Sequence, residues 1–110
     1  MGLTGLLTLL ISCVEEPLPQ RKISRYDCLI EVNLKRLRRS IQRCDQVVAA
    51  FPADPLPLNE RFLLHSLAGK DDLACKDITR AVGLAKKVPP NQIEPTLAKD
   101  LELRMASCRD

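Results

Sequence analysis

The sequence predicts an all-α fold: a small irregular helical bundle, with one long helix and about three shorter ones, linked by disulfides. Three observations carry this expectation. Apolar residues recur at steps of three and four, no stretch alternates with period two, and proline-rich stops punctuate the chain at helix-length intervals. Tyr26, Phe51 and Phe62 are the only aromatic residues and tryptophan is absent. The core therefore has to come from Leu, Ile, Val and Ala, which suits packed helices. A chain of 110 residues makes one domain with a thin stability margin.

The first and longest helix is expected from about Ser24 to Ala50. Ser24 is its cap, with Asp27 three residues on in a capping-box-like position. Ile30, Leu34, Leu37, Ile41, Cys44, Val48 and Phe51 are spaced by alternate steps of four and three, a heptad-type seam. Opposite it lie Lys35, Arg36, Arg38, Arg39, Gln42 and Arg43. The seam is short for a free coiled coil, so it belongs to a bundle helix. Pro52, Pro55 and Pro57 then stop the helix, because proline cannot continue the hydrogen-bond ladder.

A short second helix is expected from Asn59, its cap, to Ala68, with Gly69 just beyond its end. The third opens at Asp71 or Asp72 and reaches about Val88, burying Cys75, Ile78, Val82 and Ala85. Lys86 and Lys87 sit in its last turn, where they complement the helix dipole. After Pro89 and Pro90 a fourth helix begins near Glu94, with Pro95 suited to its first turn. Leu97, Leu101, Met105 and Cys108 line one side of it.

Residues 1–13 form an apolar run that ends Leu10-Ile11-Ser12-Cys13. That ending resembles the lipobox of bacterial lipoproteins, in which a cysteine after a small residue is lipidated and becomes the new N-terminus. The resemblance implies a signal peptide over residues 1–12 and a lipid on Cys13. It also implies a tether over residues 13–21, containing Pro17 and Pro19, before a helical domain over residues 22–110. The apolar run has the length of a signal core and is too short to span a bilayer. An apolar helix docked on the domain, or an uncleaved anchor on the membrane surface, are the alternatives. The expected location is the bacterial cell envelope, periplasm-facing and lipid-anchored, or the secreted space, with the cytoplasm as the alternative.

With Cys13 assigned to lipid, Cys28, Cys44, Cys75 and Cys108 form an even set with no CxxC pair, and His65 is the sole histidine. A zinc site of ordinary spacing is thus poorly supported, and two structural disulfides are the economical reading for an exported domain. Each would add about 2–4 kcal/mol. The expected pairing is nested, Cys44–Cys75 inside Cys28–Cys108. Cys28 complicates it, lying off the apolar seam, so either the first helix bends or unwinds before residue 30 or the fourth wraps around its start. Four reduced core cysteines would go with the cytoplasmic alternative.

The residues do not assemble into an enzyme. His65 lies among Leu63, Leu64 and Leu67 with no companion for acid–base work. Asp71 and Asp72 open a helix, Asp100 and Glu102 point apart, and no glycine-rich phosphate loop is present. No cofactor or metal is expected. Charge is uneven: residues 21–43 carry eight basic side chains against Asp27 and Glu31, whereas residues 44–110 hold nine basic and ten acidic.

Lys35, Arg36, Arg38, Arg39 and Arg43 are therefore the partner-binding candidates, set against the plainer reading of a solvated helix back. An acidic protein or anionic lipid headgroups would suit them, and nucleic acid comes last because aromatic stacking residues are missing. The expected role is a non-catalytic envelope lipoprotein or secreted helical domain that binds another envelope protein, in assembly, pilotin-like or exclusion/inhibitor-like work, with the membrane reached through the lipid anchor. Secretion-system pilotins and exclusion or assembly factors are similar to it in size, anchor and helix content only. The alternative is a cytosolic reduced helical adaptor or nucleic-acid-associated protein using the basic face of the first helix.

Overall fold

Four α-helices follow one another in the computed structural model, which describes residues 22–109: α1 (Leu37–Ala50), α2 (Pro55–Leu67), α3 (Asp71–Ala85) and α4 (Pro95–Arg109). Short 3₁₀ turns at Asp27–Leu29, Leu34–Arg36 and Pro90–Gln92 fill the connections, and among the described residues there is no strand. The all-α expectation therefore holds. Helix α2 is the hub, packing on α1, α3, α4 and the turn at Asp27–Leu29.

The core is a single cluster. Val47 and Val48 of α1, Leu58 and Leu64 of α2, Ile78 and Ala81 of α3, and Leu97 and Leu101 of α4 meet there with Cys28 and Cys44. Full burial of a Leu or Ile side chain contributes about 1.5–3 kcal/mol. Because aromatic side chains are few, the bundle is also tied by arginines that reach between elements. Arg61 of α2 clasps Asp77 of α3 through two hydrogen bonds of 2.9 and 2.8 Å and bonds Asp45 of α1 at 2.9 Å. Arg104 of α4 donates to the backbone carbonyl and side-chain oxygen of Asn59 in α2.

The first helix is shorter than its seam suggested. It begins at Leu37, preceded by the turn at Leu34–Arg36 that Asn33 caps through its side chain. Asp27 makes half of the expected capping-box contact, accepting from the Ser24 N–H at 2.9 Å, but the Ser24 hydroxyl accepts from the Tyr26 N–H, and the pair opens a 3₁₀ turn instead of a long helix. Glu31 adopts a left-handed backbone (φ 58°), which a continuing helix cannot accommodate. The cause is covalent. Cys28 and Cys44 form a disulfide with Cα atoms 4.3 Å apart, whereas 16 residues of straight helix would separate them by about 24 Å.

The nested pairing is consequently replaced by Cys28–Cys44 and Cys75–Cys108. Unwinding before residue 37 folds Cys28 back onto α1, where it is buried against α2, the Cys44 sulfur lying 3.6 Å from the Pro57 carbonyl. Cys75 turns away from that site, toward α4. There Cys108 on its expected apolar side meets it, Cα to Cα 5.6 Å.

Helix α2 starts four residues earlier than expected, at Pro55, with Asp54 as cap accepting from the Leu56 N–H at 2.9 Å. Pro55 and Pro57 fall in the first turn, where a missing N–H costs nothing, so they begin a helix instead of ending one. Asn59 is then an interior, buried residue. Gly69 (φ 75°) ends α2 as expected: its N–H bonds Ser66 O and the Lys70 N–H bonds His65 O, the paired bonds of a Schellman motif. Helix α3 buries Ala74, Asp77, Ile78 and Ala81, a face turned partly away from the expected one. It closes at Ala85, with Lys86 as its cap. Helix α4 begins at Pro95 and buries Leu97 and Leu101 as its spacing predicts.

Candidate functional site

The basic candidates are gathered on one strongly constrained loop. The Cys28–Cys44 bridge closes a segment whose single acid is Glu31, set against Lys35, Arg36, Arg38, Arg39 and Arg43. Lys35, Arg36, Arg38 and Arg39 are exposed around the start of α1, and among the described residues none makes an ion pair. Arg43 differs. It is half-buried, and its guanidinium donates to the Ile30 carbonyl, so it pins the loop to α1. Cys13 lies outside the described residues.

A cleft of about 570 Å³ opens beside the α1–α2 connection, and sequence reasoning missed it. Its apolar wall comes from Phe51, Pro52, Pro55, Val88, Ile93 and Leu97. The prolines that read only as stops thus form a stiff rim. One end is charged: Arg25 donates to both oxygens of Asp54, at 2.5 and 2.8 Å, and to Glu94 at 3.1 Å. Burial alone would push the Asp54 carboxyl up, but hydrogen bonds from Arg25 and the Leu56 N–H outweigh it and hold the group below the usual range. The clasp ties the segment before α1 to the α1–α2 and α3–α4 connections, so the cleft is preformed.

Two further titratable groups lie near these ties, His65 buried and Glu60 half-buried. Burial holds the His65 imidazole below its ordinary range, with Asp77 (3.5 Å from Nε2) opposing and Arg61 reinforcing the shift. Its Nδ1 has no hydrogen-bond partner. No three His, Cys, Asp or Glu side chains among the described residues converge closely enough to hold a metal ion. Glu60, whose Oε1 is buried without a partner, is pushed from 4.5 up to about 7 by burial, against the pull of Arg25 and Arg104.

Between those two pH values the folded state holds a proton that the unfolded chain has released. Stability therefore falls as pH rises through that window and the loss is complete above it. Glu60→Gln should be nearly neutral at about pH 5 and stabilising by about 1–2 kcal/mol at about pH 8, after allowance for partial exposure. Melting curves of both proteins across that range check it, and parallel curves would refute it.

The two disulfides fit a non-reducing, extracellular or periplasmic setting, and among the described residues no helix is long and apolar enough to cross a membrane. Comparison with protein-family models, curated proteins and solved structures found no match for this chain.

Proposed function

We propose that this chain is a non-catalytic helical domain of the bacterial envelope, held at the membrane through lipidated Cys13, that docks another envelope protein in an assembly, pilotin-like or exclusion-like role. The observation that carries the reading is the preformed cleft. Its apolar wall of Phe51, Pro52, Pro55, Ile93 and Leu97 suits an apolar side chain from a partner segment, and its charged end is already neutralised by the Arg25–Asp54–Glu94 clasp. Docking there would bury apolar surface without stranding a charge. The disulfides support export, because a domain with so few aromatic residues benefits from staples in an oxidising compartment.

A photo-reactive residue at Ala53, on the exposed rim of the cleft, tests this in the native host. A discrete adduct with an envelope protein is expected from position 53 and not from Lys99, which lies exposed on α4 outside the cleft. Equal labelling from both positions, or no adduct from either, would refute docking in the cleft. The second reading, a reduced cytosolic adaptor or nucleic-acid-associated protein, draws on the exposed basic face. The two bridges speak against it.

A further inference from the structure

We propose that the disulfide-closed loop between Cys28 and Cys44 is a contact surface for an anionic lipid bilayer, its apolar side chains entering the headgroup region while Lys35, Arg36, Arg38 and Arg39 meet the phosphates. The loop presents what such a surface needs in one place. Leu34 is 69% exposed, Ile30 41% and Leu29 37%, and these apolar side chains have no share in the core. The same segment carries the four exposed basic residues. The hydrogen bond from Arg43 to the Ile30 carbonyl sets the apolar part of the loop beside the helix that bears Arg38 and Arg39. Arg39 and Arg43 are four residues apart and share one side of that helix, with Arg36 at its N-cap.

Apolar side chains interleaved with uncompensated cations suit an anionic interface better than an acidic protein, whose surface would leave Leu29, Ile30 and Leu34 without a matching apolar layer. The reach of the chain agrees. Lys22 lies nine residue steps beyond Cys13, about 30 Å when extended, so a lipid on Cys13 would keep this loop within touching distance of headgroups. The inference takes its membrane from the envelope reading, but it requires neither the cleft's partner nor the lipid.

Vesicle flotation with the oxidised full chain carrying Cys13→Ser separates these matters, since no lipid can then be attached at Cys13. The protein should bind vesicles of phosphatidylglycerol and phosphatidylcholine at least about tenfold more tightly than phosphatidylcholine alone, and added salt should erase the difference. Replacing Lys35, Arg36, Arg38 and Arg39 with Gln should weaken binding to the anionic vesicles at least about tenfold, to the level of the neutral ones, whose binding stays unchanged. Arg43 is left in place because it holds the loop. Leu34→Ser, at an exposed position with no packing to lose, should weaken anionic binding severalfold and keep the salt dependence. No preference for anionic vesicles in the parent, or full preference in the fourfold variant, would overturn the proposal. So would a fourfold variant that releases a co-purified acidic protein while binding vesicles as before.

Discussion

Replacing Cys28 and Cys44 together with alanine is expected to lower the melting temperature by about 15 °C. The bridge closes a segment of 16 residues, and the loss of that constraint on the unfolded chain corresponds to about 3 kcal/mol, worth several degrees per kcal/mol in a domain of this size. The effect is also local. Both sulfurs are fully buried between α1 and α2, and the bridge is what returns the segment before α1 to the core. Residues 22–36 should therefore lose amide protection in the variant before the rest unfolds. Cys75–Cys108 is only partly buried, so limited reductant should open it first. Alkylation under limiting reductant checks the third statement, and differential scanning calorimetry with hydrogen exchange checks the first two. An unchanged melting point would contradict them.

The second large effect is expected at Asp77. Asp77 is 6% exposed, and its two carboxylate oxygens accept from Nε and Nη2 of Arg61. Asp77→Asn removes the charge and leaves the guanidinium, whose remaining anion is the half-exposed Asp45, largely uncompensated. Breaking one side of such a pair costs about 3 kcal/mol. Exchanging both residues for apolar ones of similar size, Arg61→Met with Asp77→Leu, should cost much less than Asp77→Asn alone, because no charge is then stranded. Urea denaturation of the three proteins measures the difference. A double variant as damaged as the single one would show that the ion pair itself supplies the stability.

What the sequence disclosed follows the range of the forces involved. Helix α4, the Gly69 ending and the absence of strands among the described residues rest on local periodicity and backbone conformation, and they were legible. The start of α1 was not, because the apolar seam through Ile30 and Leu34 continues a helical pattern that the Cys28–Cys44 bridge forbids. Pro55 and Pro57 are ambiguous by nature: the same missing N–H ends a helix or fits its first turn. The difference lay in Asp54, an available cap directly before Pro55. The basic candidates could be read from composition. The distinct duty of Arg43 and the clasp of Arg25 with Asp54 and Glu94 could not, since they join residues 13, 29 and 69 positions apart.

These features support one another within the described domain. The bridge that shortens α1 also bends the basic loop into an exposed surface, and the arginine ties hold the cleft open without a large aromatic core. The central claim is that the domain is exported, anchored and stapled. Mass spectrometry of the non-reduced protein from its native host tests it most directly. The account predicts cleavage before Cys13 with added lipid mass, a loss of four hydrogens, and cross-linked peptides joining Cys28 to Cys44 and Cys75 to Cys108. An unprocessed Met1 with five alkylatable cysteines would contradict it.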